Sequence, residues 1–394
     1  MSEKGDKKSL ELFIKQLKKK NFKISEVKSF LKNHVLDLNE YDKNGYNALH
    51  YAIKAERSDI VKIMLSIGTD EETISIKADP NKETKDKNNN IFTSPLLLSL
   101  LYTNEENNSM QIIRYLINAG ANVNYKDENG ATLFLHSCEK GRTDVINCLI
   151  NKIIKDKEEG NENEIKDVKT LINSYSKDGG GLHFAIIGQQ DEVIELLLEN
   201  DIDLNINNSQ GDNALIFAIK EKQMNFFKRI YDYLLKNAEI NDEEKKKILN
   251  HQNKEGNTIL HELAYCKSSI LTNMVLKLPK EISIEPELKN KEGLNYEQVA
   301  KNVIESENNI KKQEQQLKEE RRKLKEEIRQ KKYDEEKRIM DEKRKYEEAM
   351  KRQEEFGEKL IENRGKIFCI ILVIFLGLMY LLIKYASVKR EKII

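Results

Sequence analysis

The sequence predicts an all-α solenoid of stacked helical hairpins, followed by a long charged helix and one apolar helix near the C-terminus. Three observations predict it. A Leu-His-x-Ala block recurs, with variations, over the first three quarters of the chain. Acids and bases dominate a proline-free stretch after Asn302. Residues 367–383, IFCIILVIFLGLMYLLI, carry no charge.

The repeats come first. LHFAIIGQQDEVIELLLENDIDLN at 182–205 parallels ALHYAIKAERSDIVKIMLSIGTD at 48–70. Further copies are SPLLLSL at 94 with MQIIRYLINAGANVN after it, NGATLFLHSCEKGRTDVINCLI from 129, QGDNALIFAI from 210 and EGNTILHELA from 255. A half-copy, KEGLNYEQVAKN, begins at Lys291. Gly45, Gly130, Gly211, Gly256 and Gly293 occupy one turn position, and Leu49, Leu96, Phe134, Leu182, Leu215 and Leu260 the apolar position that follows. Each unit has one apolar helix face that it cannot bury alone, so neighbours must stack. Leu and Ala at i and i+3 share that face.

These residues resemble the ankyrin repeat, with its D-x-x-G-x-T-P-L-H-x-A opening and L-L-x-x-G-A-d-v-N ending, over roughly residues 24–302. The resemblance implies about six repeats plus caps, with loop insertions. The expected division is capping helices at 1–40, repeats at 41–302, a charged helix or coiled coil at 303–365, a transmembrane helix at 366–384 and a short basic tail at 385–394. Phe134 and Leu182 lie 48 residues apart, where plain repeats recur at about 33. The excess falls in polar stretches near 69 and 155, expected to be solvated loops.

Little in the chain points to catalysis. Gly179-Gly180-Gly181 precedes a helix, where backbone N–H groups attract anions. No Lys-Ser/Thr pair follows, and Phe184 stands where a dinucleotide fingerprint needs its last glycine. The repeat frame reads these glycines as the turn into the fourth repeat, displaced by a residue because Asp178 takes the turn-glycine position. His136, Cys138 and Cys148 lack a fourth zinc ligand in phase. His50, His183 and His261 sit at the L-H position, where the resemblance implies hydrogen bonds between repeats. Lys and Arg number 67, as do Asp and Glu, a balance without the basic excess of a nucleic-acid binder. Four widely spaced cysteines suit a reducing compartment. The reading is a non-enzyme with no cofactor, no metal and no nucleic-acid partner.

From Lys311 to Glu355 more than two thirds of the residues are charged. Glu319–Lys323, Glu327–Lys331, Asp334–Arg338, Asp341–Lys345 and Glu347–Lys351 place acid four residues before base, the favourable helical order. Ile310, Leu317 and Leu324 recur every seven residues, and Ile339, Tyr346 and Leu360 restart the series out of phase. One apolar core position per heptad leaves a single helix and a weak homodimer through 303–360 both open.

The apolar run 367–383 reaches about 26 Å as a helix, near the short limit for a membrane span, with Lys366 and Lys384 placed to snorkel. The start MSEKGDKKSLELF has no apolar signal region. The expected location is therefore a membrane, single-pass and C-terminally anchored, with the repeats facing the cytosol. A short span suits the endoplasmic reticulum, and the basic tail is compatible with the mitochondrial outer membrane. The expected function is a membrane-anchored adaptor or tether that binds a protein partner through the concave helix face and hairpin tips. Repeat position nominates Tyr46, Tyr51, Phe184, Asp212, Phe217, Asn257 and Glu262. The alternative is a structural, self-associating spacer.

Overall fold

A computed structural model of the chain describes residues 7–19, 22–34, 36–66, 77–85, 93–101, 106–160, 167–361 and 367–390. These form two compact units, Met1–Ile304 and Glu305–Ile394. The first opens with α1 (Lys7–Leu17) and α2 (Ile24–Asn33), which bury Leu10, Phe13, Ile14, Leu17, Val27 and Leu31. Hairpins of an inner and an outer helix follow. They are α3 (Ala48–Lys54) with α4 (Ser58–Met64), α5 (Pro95–Leu101) with α6 (Glu106–Asn118), and α7 (Leu133–Glu139) with α8 (Thr143–Glu158). After the short α9 (Val168–Ile172) come α10 (Gly181–Gly188) with α11 (Asp191–Glu199) and α12 (Ala214–Lys220) with α13 (Met224–Lys236). Another added helix, α14 (Asp242–Leu249), precedes α15 (Ile259–Tyr265) and α16 (Ser269–Leu276). Then α17 (Tyr296–Ile361) begins at the inner position of a seventh hairpin, and α18 (Ile367–Arg390) follows.

Inner helices stack on inner helices in the order α3, α5, α7, α10, α12, α15, and outer helices pack as α4, α6, α8, α11, α13. The apolar spacing explains the stacking. In α3, Leu49, Ala52 and Ile53 share one face and are fully buried, and each later hairpin adds its equivalents to one continuous core.

Polar side chains set the turns. Asp42 Oδ1 accepts the N–H groups of Asn44 at 2.9 Å and Tyr46 at 3.1 Å. Asp127, Asn208, Asn253 and Asn290 repeat that pair of bonds. The loop then reverses at a glycine, as at Gly45 with φ 80° and Gly130 with φ 82°. Asn47, Thr132 and Asn213 cap the next helix by accepting the N–H three residues on.

Four features depart from the sequence reading. The polar insertions hold structure, because residues 77–85, inside the first, include Ala78-Asp79-Pro80-Asn81, a further copy of the repeat ending. Asn39 Nδ2 donates to Lys77 O at 3.0 Å, and Asp79 Oδ1 accepts the N–H of Asn81. Near 155, α8 runs on to Glu158, and Asp156, bonded to Lys152, is buried. In α9, Leu171 and Ile172 are buried as well. Residues 67–76, 86–92 and 161–166 of these stretches lie outside the described residues. Secondly, the fold includes one minimal hairpin, β1 (Tyr175–Ser176) antiparallel to β2 (Gly179–Gly180). It arises where Tyr175 replaces the turn-forming Asp or Asn of the other repeats.

Thirdly, the charged helix begins at Tyr296, inside the expected repeat region, since Asn295 caps it by accepting the N–H of Gln298. Of its expected acid-to-base pairs, Glu319–Lys323 closes at 3.3 Å. Arg322–Glu326, Arg338–Glu342 and Arg344–Glu348 close in the reverse order at 3.5–3.8 Å. All are exposed and contribute little individually. Lastly, among the described residues no helix is long and apolar enough to cross a membrane. Within α18 the side chains of residues 373–384 are described; Lys366, the side chains of 367–372 and those of the basic tail from 385 lie outside the described residues.

Candidate functional site

The second residue after the repeat's leucine holds the same place on each inner helix, and the inner helices stack in order. Tyr51, Leu98, His136, Phe184, Phe217 and Glu262 therefore form one column. Its N-terminal end is aromatic and bears amines. Tyr51 Oη donates to Asp42 Oδ2 at 2.6 Å, and Lys18 Nζ lies 4.2 Å from its ring centre. Tyr46, at the hairpin tip, sits 5.6 Å from Tyr51 and carries Lys54 Nζ at 4.4 Å over its own ring. Both tyrosines are half-buried. Cation–π contacts of this kind hold the rings in place without hiding their edges.

The middle of the column packs edge to face. The rings of His136 and Phe184 are 6.1 Å apart at 80°, and His136 Nε2 pairs with Asp127 Oδ2 at 2.8 Å. That bond copies Tyr51–Asp42 two repeats earlier. Phe184 is buried, whereas Phe217 is half-buried against the ring of His183 at 5.2 Å.

The C-terminal end is a buried polar network. Asp212 accepts Lys220 Nζ at 2.8 Å and Asn253 Nδ2 at 2.7 Å. Asn257 Nδ2 donates to Glu262 Oε1 at 3.0 Å, and Asn257 Oδ1 accepts Asn290 Nδ2 at 3.1 Å. Burial pushes the Glu262 carboxyl up, against the opposing pull of the Asn257 amide and the Lys220 ammonium. Asp212, Asn257 and Glu262 are buried, as Phe184 is, and knit adjacent repeats together. Among the seven residues nominated by repeat position, Tyr46, Tyr51 and Phe217 offer surface. His136, Asp42 and Lys54 complete that surface, and the shared register was the signal that could have found them.

Behind the column the three L-H histidines repeat one arrangement. His50 Nδ1 accepts the N–H of Asn47 at 3.0 Å, and its Nε2–H donates to Lys82 O at 2.7 Å in the next repeat. His183 joins Gly180 N–H to Asp212 O, and His261 joins Thr258 N–H to Leu294 O. The glycine turn belongs to this arrangement. Gly179 has φ 110°, and a Cβ there would overlap the His183 imidazole. A Cβ on Gly181 would come within 3.1 Å of Leu197 Cδ1. With its N–H given to His183, Gly180 has no free donor for a phosphate.

Among the described residues no group of three His, Cys, Asp or Glu is placed to hold a metal ion. His136 is held by Asp127, and Cys138 is buried with its thiol pushed up by that burial. What the geometry defines is a rigid helical solenoid presenting a column of side chains, the architecture of a protein-interaction scaffold.

Comparison with known proteins bears on the same residues. The family models "Ankyrin repeat" at 44–82, "Ankyrin repeats (many copies)" at 101–150 and "Ankyrin repeats (3 copies)" at 160–244 and 182–290 together match more than half of the chain. The chain belongs to the ankyrin-repeat family. It is similar to an ankyrin repeat protein of Acanthamoeba polyphaga mimivirus, 26% identical over 231 residues, which is 58% of this chain and 24% of that relative. The chain thus spans about a quarter of the viral protein's length.

Proposed function

We propose that this chain is a membrane-anchored ankyrin-repeat adaptor that binds a protein partner through the N-terminal and central part of its inner-helix column. The observation that carries the reading is the accessible aromatic surface of Tyr46, Tyr51 and Phe217, presented by α3 with the turn before it and by α12, and held by the Tyr51–Asp42 hydrogen bond and the Phe217–His183 ring contact. Aromatic anchors on a rigid support bind with little loss of side-chain freedom. The role is recruitment or tethering, without catalysis.

Anchoring rests on the sequence of α18 and on the exposure of Val373, Phe375, Leu376, Tyr380, Leu382 and Ile383 along it. A second reading, self-association through α17, draws on the exposed Ile310, Leu317 and Leu324 of the second unit.

The test uses the full chain as bait beside a Tyr51→Ala, Phe217→Ala double variant. Partners retained by the wild type are expected to weaken by roughly tenfold or more in the variant, with its helical content unchanged. Equal recovery by both proteins would move the binding surface elsewhere. If each protein recovers other copies of the chain and nothing else, the spacer reading replaces the adaptor.

A further inference from the structure

The outer layer of the solenoid is covered step by step: α6 lies on α4, α8 on α6, α11 on α8 and α13 on α11. Burial follows the cover. Val193, Ile194, Leu197 and Leu198 are buried in α11, and Phe226, Phe227, Ile230, Tyr231 and Leu234 in α13. In α16 the one buried residue is Val275. Yet its sequence, SILTNMVL, is no less apolar than theirs. Ile270 is 82% exposed and Leu276 38%, with Leu271 and Met274 half-buried.

The seventh hairpin explains the gap. Its inner helix is present as the first turns of α17, where Val299 is buried and Leu294 O accepts His261 Nε2–H. Exposed Glu297, Gln298 and Lys301 give these turns a polar end, as a solenoid cap requires. The helix then continues past Ile304, so no outer helix of that hairpin follows within this unit. Among the described residues of this unit the inner layer is capped, while α16 in the outer layer keeps Ile270 exposed. An apolar patch on an otherwise polar surface marks an interaction site.

Charge narrows the occupant. No charged residue stands between Lys267 and Lys277, so cations bracket a neutral helix whose Ile270, Leu271 and Met274 share a strip on one side, and exposed Lys222 holds the equivalent turn position one repeat earlier. A second copy of α16 laid across the strip would set lysines against lysines.

We propose that the outer face of α16 docks an amphipathic helix of a protein partner, apolar on one side and acidic along its flanks, in the place of a seventh outer helix. The strip is far smaller than the roughly 800 Å² per partner of a stable interface, so the contact is weak and suits an auxiliary grip. It lies in the outer layer, apart from the inner-helix column, and stands or falls independently of it.

The test titrates labelled helical peptides of about four turns into the full chain and follows fluorescence anisotropy. One peptide carries leucine on one face and glutamate on the other; its twin carries lysine in place of glutamate. The glutamate peptide is expected to bind with a Kd of roughly micromolar order, and the lysine twin at least about tenfold more weakly. Ile270→Asp should weaken the glutamate peptide by about tenfold while leaving the melting temperature alone, since the side chain is already solvated. Leu12→Asp, an exposed leucine of α1 (47%), should leave binding intact. Equal binding of both peptides, or unchanged binding by Ile270→Asp, would overturn the proposal. So would a wild-type dimer in sedimentation that Ile270→Asp converts to monomer, because a second copy would then occupy the face.

Discussion

Leu182→Asp is expected to split the thermal unfolding of the repeats into two steps and to remove about 4–5 kcal/mol of local stability. Leu182 is 2% exposed in α10, which packs between α7 and α12. The substitution forfeits about 2 kcal/mol of apolar burial and forces an unpaired carboxylate into the interface. A solenoid is held by nearest-neighbour interfaces, so the damage should stay near the fourth repeat while the N-terminal hairpins melt as before. Ile187→Asp on the same helix is the control, because Ile187 is 46% exposed. A single, unshifted transition for Leu182→Asp would contradict the stacking register.

Acid should loosen the same interfaces through their buried histidines. His50 is fully buried, and its pKa is lowered to about 4, chiefly by burial. Burial also lowers His183 and His261. Above about pH 6.5 these rings are neutral in both folded and unfolded chains and contribute no pH dependence. As pH falls below that value the unfolded chain takes up protons that the folded one refuses. Stability is therefore lost between about pH 6.5 and about pH 4, by up to about 3 kcal/mol for His50. The melting midpoint should fall by several degrees over that window. His50→Gln should flatten the response, because Gln298 already shows the substitute at work: its Oε1 accepts the N–H of Asn295 as His50 accepts that of Asn47. An unchanged pH profile in His50→Gln would remove the histidine from the explanation.

The inner helices and their histidine bonds were legible because Leu-His-x-Ala ties burial and hydrogen bonding to adjacent residues. The turn at Gly179 was legible too, since Asp178 visibly takes the turn-glycine position, although the β1–β2 hairpin that precedes α10 was not. The insertions misled because their apolar residues are few. Leu171, Ile172, Ile248 and Leu249 bury themselves in pairs at the ends of α9 and α14, which no periodicity announces. Burial across the column was equally hidden. Glu262 and Asp212 occupy positions where other repeats offer surface, and it is Asn253, Asn257 and Asn290, arriving from neighbouring turns, that make their burial tolerable.

The central claim is that a partner is held on the inner-helix column. Hydrogen exchange of the full chain, with and without a partner recovered by the bait, tests it most directly. Slowed exchange is expected in α3 and α12 and in the turns at 42–47 and 208–213, with α4 and α13 unaffected. Protection confined to α17, or to the outer helices, would contradict the account.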